Sequence, residues 1–253
     1  MKRVLGFLLL FLAACQPAAA ADDPRTQAPL GLVITYSADA ADRPALRAAM
    51  RGEMTARLDA LQRAGTIAHY RLLWGRYADN LNWDAMLVLD LDTPSGIAGW
   101  AKVEAATPGA LSAPAARLVR RIESAPIDVM HRGRSEAMGA PVYLVVPYDY
   151  LVSVGDYVKY VDGYVVPQLD GWMAEHALQG YDFLLARYAA GRPWTSMLLL
   201  DYRGDAGLGA RDAVVGKVRA RLANDPAWKA FADTKQHIRE ERAPIIADIL
   251  AER

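Results

Sequence analysis

Three kinds of chemically able residue recur at one fixed spacing in this chain. Tyr70, Arg76 and Asp90 return as Tyr181, Arg187 and Asp201, each 111 positions later. A tyrosine hydroxyl, a guanidinium and a carboxylate can together grip an anionic or carbonyl group and accept a proton. The six belong to a longer match, in which His69–Asp92 aligns without a gap on Gly180–Arg203 and ten of the 24 pairs are identical. Unrelated segments would share about one or two, so the match reads as an internal duplication.

Strand alternation then separates the repeated residues into two sets. On one side of the first strand lie Tyr70, Leu72, Trp74 and Arg76, and on one side of the next lie Asp84, Met86, Val88 and Asp90. A register that pairs Arg76 with Asp84 sets Tyr70 opposite Asp90 and aims all four the same way. The expected ligand-binding set is therefore Tyr70, Arg76, Asp90, Tyr181, Arg187 and Asp201. The competing reading is a satisfied Arg–Asp network, held by tyrosine hydroxyls, that only fixes the sheet. Trp83 and Trp194, each at the start of a strand, read as packing anchors.

The repeat extends outward. Pro29–Tyr36 parallels Pro141–Tyr148, and Arg121–Ile127 parallels Arg239–Ile245 with five of seven residues identical. Two units follow, 29–132 and 141–253, joined by a linker at 133–140. In each, a short apolar strand (Leu30–Tyr36, Val142–Leu151) precedes a helix. Asp42 and Pro44 start the first helix, whose stripe is Leu46, Met50, Met54, Leu58 and Leu61. The second carries Tyr157, Tyr160, Val161, Tyr164, Val165 and Leu169, with Pro167 expected to kink it near Gly163. Hairpins are expected at 69–77/83–91 and 180–188/194–202, followed by helices, with Asp225-Pro226 as a start signal. A weak last strand is expected at Ile127–His131 and Ile245–Leu250, the second of which equally suits a continued helix.

The order β-α-β-β-α-(β) is the split ferredoxin-like pattern. The fold class expected is α+β: two tandem ferredoxin-like βαββα(β) units forming a pseudo-twofold α/β barrel. Such a chain resembles the dimeric α/β-barrel superfamily, in which two antiparallel sheets face each other with helices outside. The resemblance implies an internal pseudo-dimer able to remain monomeric. It also implies a range of roles, from cofactor-free monooxygenases and isomerases to haem-dependent enzymes. Some relatives bind haem through a histidine of the second half, where His176 and His237 stand.

The amino terminus reads as an address. Lys2 and Arg3 precede the apolar run Val4–Ala13, and Leu12-Ala13-Ala14-Cys15 resembles a bacterial lipobox. Residues 1–14 are then a signal peptide, Cys15 the lipidated first residue, and 15–28 a tether. Ordinary secretory cleavage near Ala19-Ala20-Ala21 is the alternative. Cys15 is the chain's one cysteine, and lipidation accounts for a lone thiol in an exported protein. The expected place is the cell envelope, facing the periplasm, anchored to the outer membrane.

Other chemistry has less footing. Without Lys2 and Arg3 there remain 27 basic against 29 acidic residues, which is no nucleic-acid footprint. The four histidines show no metal-ligand spacing. No G-x-S-x-G occurs, and Gly204–Gly209 has neither dinucleotide-binding nor P-loop spacing, so a flexible turn is expected there. The expectation is a binder of a small organic molecule between the sheets, without metal or required cofactor. A cofactor-free oxygenase or isomerase, with Asp201 or Asp90 as base, and a structural envelope lipoprotein are the alternatives.

Overall fold

Apolar, β-branched runs that are hydrophobic on both faces belong in a sheet covered on both sides. In a computed structural model, which describes residues 30–136 and 139–253, such runs close into one barrel. The strands are β1 (Leu30–Ser37), β2 (His69–Gly75), β3 (Ala85–Asp90), β4 (Arg121–Arg134), β5 (Val142–Tyr150), β6 (Leu178–Ala186), β7 (Ser196–Tyr202), β8 (Arg239–Glu241) and β9 (Ile245–Glu252). Their order is β7-β6-β4-β1-β3-β2-β9-β5, and β5 pairs again with β7. This is an antiparallel barrel of eight strands, with short β8 appended to β5. The expected picture of two facing sheets gives way to a continuous hydrogen-bonded wall.

Each half supplies four adjacent strands, β4-β1-β3-β2 and β9-β5-β7-β6. The seams are β4 against β6 and β2 against β9, so each half's last strand also pairs with the other half. That demand makes β4 fourteen residues long where five were expected. It also draws Gly133 and Arg134, expected as linker, into the strand. The alternative of a continued helix at 245–250 is overturned by β9.

Helices pack outside. The first, at 43–63, buries Leu46, Met50, Met54 and Leu58 against Tyr70, Leu72, Trp74, Leu87 and Leu89. Asp42 stands at its N-cap position, but its side chain makes no capping hydrogen bond. The second, at 154–174, begins at the Ser153 cap and buries Tyr157, Tyr160, Val161, Tyr164, Val165 and Leu169. A π-helical turn at Val161–Val165 precedes Pro167. The same turn occurs at Met50–Met54 in the first helix, where no proline follows, so proline alone is not its cause. Asp225 caps Pro226–Thr234 by accepting from Ala227 N. Gly204–Gly209 is a short helix rather than a free turn.

Inside the barrel, Val33, Leu73, Met86, Val88, Ile127, Val145, Leu184, Met197 and Leu199 form an apolar core. Trp83 and Trp194 pack onto it at the mouth where the hairpins turn. Among the described residues no helix is long and apolar enough to cross a membrane. Cys15, the expected signal peptide and the tether lie outside the described residues.

Candidate functional site

The register of the first hairpin decides what faces what. Tyr70 pairs with Leu89 and His69 with Asp90, one residue away from the expected register. A one-residue slip turns a strand's side chains to the other face. Tyr70 and Tyr181 consequently point outward under the helices, where their hydroxyls donate to Asp59 (2.5 Å) and Asp170 (3.0 Å). Arg76 and Arg187 lie near the hairpin turns on the outer side. Arg76 bonds Asp248 at 2.6 Å and also Asp205, and Arg187 bonds Asp128 at 2.9 Å through Nε. Asp84, the expected partner of Arg76, instead takes Arg43 and the backbone N–H of Ala38. The six expected residues therefore do not converge. Asp90 and Asp201 alone among them face inward, at the mouth opposite the tryptophans.

Four of the six buried charged residues described, Arg71, Asp90, Asp182 and Asp201, gather at that mouth. Asp182 accepts from Arg71 (2.7 Å), Arg132 (2.6 Å) and Arg134 (2.6 Å). Arg132 also grips Asp90 with both terminal nitrogens, at 2.7 and 3.1 Å. Arg71 reaches Glu252 at 2.9 Å and stacks over the Tyr143 ring at 5.4 Å. Asp182 is 1% and Arg71 7% exposed, so both charges are removed from water and stand only because they are paired. Burial alone would raise the Asp182 carboxyl, but Arg71, Arg134 and Arg132 hold it well below the usual carboxylate range.

Asp201 is treated differently. It accepts from the Tyr143 hydroxyl at 3.3 Å and from Gln179 Nε2 at 3.1 Å, both neutral donors. Burial pushes it up to about 6, against the Gln179 hydrogen bond and Arg71, with Glu252 adding to the rise. Burial also raises the Tyr143 phenol.

A cleft of about 200 Å³ opens at this mouth. It is walled by Arg71, Arg132, Arg134 and Arg253, by Asp90 and Glu252, and by His69 and Tyr70. Four guanidinium groups against two carboxylates suit a small anion. Sequence reasoning missed Arg71, Asp182, Arg132, Arg134, Glu252 and Tyr143. It sought identity between copies, whereas Arg71 and Asp182 occupy one repeated position with opposite charge.

Histidines supply no preformed centre. His176 and His237 are exposed, and aromatic side chains pack between the helices and the sheet of the second half. His131 Nε2 lies 2.8 Å from Asp162. No group of three metal-ligating side chains occurs among the described residues.

No protein-family model matches the chain, and no curated protein matches it by sequence. Solved structures do match in shape. A candidate monooxygenase of Fusobacterium nucleatum subsp. nucleatum aligns at TM-score 0.56 and 11% identity, over 89% of this chain and 94% of that one. An anthrone oxidase-like protein aligns at 0.55 and 14%, over 90% and 94%. A variant chlorite dismutase from Candidatus Nitrospira defluvii aligns at 0.51 and 11%, over 90% and 93%. At such identities the likeness concerns shape alone. The chain shares with these proteins an α+β fold, an antiparallel eight-stranded barrel with helices outside.

Proposed function

We propose that the protein binds a small organic anion in the charged mouth of the barrel. The observation that carries this is the cleft of about 200 Å³ walled by four arginines and two carboxylates, with Asp182 behind three of the arginines. The size restricts the ligand, since a cavity of about 150 Å³ holds one benzene ring. A short mono- or dicarboxylate fits that limit. The expectation of a ligand between two sheets gives way to a ligand at the rim, because the charged groups gather there while the interior carries apolar side chains.

Calorimetry with a panel of short carboxylates tests the reading. At least one is expected to bind, and Arg134→Gln combined with Arg253→Gln is expected to weaken it about tenfold or more. The absence of binding by every member at millimolar concentration overturns the proposal.

A cofactor-free oxygenase or isomerase is the second reading. Its support is the shape likeness to the candidate monooxygenase, together with a carboxyl at Asp201 whose affinity for protons suits a general base. The internal repeat supports descent from one duplicated ferredoxin-like unit. The lipobox-like segment supports export and anchoring through Cys15 at the outer membrane, facing the periplasm. Mass spectrometry of protein from its own host is expected to find a lipidated Cys15 as the first residue. An unmodified amino terminus near Ala21 overturns the anchor.

A further inference from the structure

The two halves build the same mouth with inverted charge. Strand pairing sets Arg71 opposite Glu252 at one seam and Asp182 opposite Arg132 at the other. The repeat relates Arg71 to Asp182, so the Arg132 of one seam corresponds to the Glu252 of the other. Asp90 and Asp201 are the repeated carboxylates beside these seams. Asp90 has Arg132 on both its oxygens. Asp201 has a glutamate in the corresponding place, and Tyr143 opposite it where the first half has Gly31 opposite Asp90.

The charged groups acting on Asp201, namely Arg71, Arg134 and Glu252, have other partners, and His69 on β2 lines the same cleft. Arg71 on β2 is committed to Asp182 and Glu252. Arg134 on β4 is committed to Asp182 and the carbonyls of Gly133 and Tyr181. Glu252 on β9 repels a second negative charge, while Tyr143 on β5 and Gln179 on β6 contribute neutral donors. Asp201 is 8% exposed, so water offers its carboxylate little.

We propose that Asp201 is the proton-binding group of this mouth, and that it takes up a proton from solvent when a small anion occupies the cleft. The inference rests on the cleft being an anion site. An anion beside Arg71 and Arg134 offsets the two cations that favour the ionised carboxylate. One O–H bond forms on Asp201, and no other bond changes. Proton and anion then assist each other's binding by the same factor. Without the anion, about a tenth of Asp201 carries a proton at pH 7, given its value of about 6. With it, most does.

The test uses the full chain. Carbon-13 carboxyl NMR without ligand is expected to show Asp201 titrating near 6, and Glu252→Gln is expected to lower that midpoint. Malonate binding is then followed by calorimetry at pH 7 in two buffers of different ionisation enthalpy. The wild type is expected to take up most of one proton, with affinity rising up to tenfold per pH unit as pH falls from 7 toward 6. Asp201→Asn is expected to bind malonate with less proton uptake and a weaker pH dependence than the wild type, and this difference is expected to persist when His69→Gln removes the imidazole on the cleft wall from both proteins; each fold is checked by a thermal melt. A midpoint near 4 overturns the inference whether or not malonate binds. Binding with no proton uptake, or with equal uptake in wild type and Asp201→Asn, overturns it and leaves the anion site standing. No binding of malonate or of any other short carboxylate in the panel removes the anion site and the coupling with it.

Discussion

Asp182 shows how far single residues at the mouth depend on one another. Three guanidinium groups converge on a carboxylate that is almost wholly buried. Removing it strands several cations, which for a broken buried pair costs about 3–5 kcal/mol. Asp182→Leu is therefore expected to lose at least that much in urea unfolding, and adding Arg71→Leu is expected to recover part of the loss. Asp201 predicts the opposite pH dependence. Its folded value lies above the unfolded one, so its favourable contribution exists at low pH and disappears as pH rises from about 4 through 6. Two units correspond to about 2–3 kcal/mol. Between pH 3.5 and 7.5 the stability of Asp201→Asn is expected to gain about that much relative to wild type, read from urea melts. A constant difference across the range contradicts the raised value. Asp182 works in the other direction, since its depressed value gives stability that is lost as pH falls below about 4.

At the scale of elements, strands and helices were legible because their periodicities are strong. The apolar stripes of both long helices and the two hairpins stand where alternation and spacing set them. Register was not legible, because it depends on how the loop between Gly75 and Ala85 folds. One residue of slip moved Tyr70 from the interior to the helix layer and brought Arg71 inward in its place. The charged mouth was illegible for a related reason: Arg132, Arg134 and Glu252 come from the last strands, whose partners lie in the opposite half. Sequence also overstated Pro167. The π-helical turn recurs at Met50–Met54 without a proline, so proline is not required to form it. Pro167→Ala is expected to change stability by less than about 1 kcal/mol and leave far-UV circular dichroism unaltered. A loss near ~3 kcal/mol would return the turn's origin to proline.

For the whole molecule, two seams decide whether the halves are separable. Each half alone presents its inward apolar face and two unpaired edge strands to water, an arrangement prone to association. The Arg71–Asp182 bond crosses between halves at a single repeated position. Two first halves would oppose Arg71 to Arg71, and two second halves Asp182 to Asp182, each pair without its counter-charge. Only unlike halves satisfy both. Chains cut within 135–140 and expressed together are thus expected to assemble one to one, as read by size-exclusion chromatography with light scattering. First halves alone are expected to aggregate rather than form a defined dimer. Arg71→Leu should ease their self-pairing by removing the buried like charge. A stable homodimer of unaltered first halves would mean that the apolar interior outweighs this charge complementarity, and that charge does not select the partner.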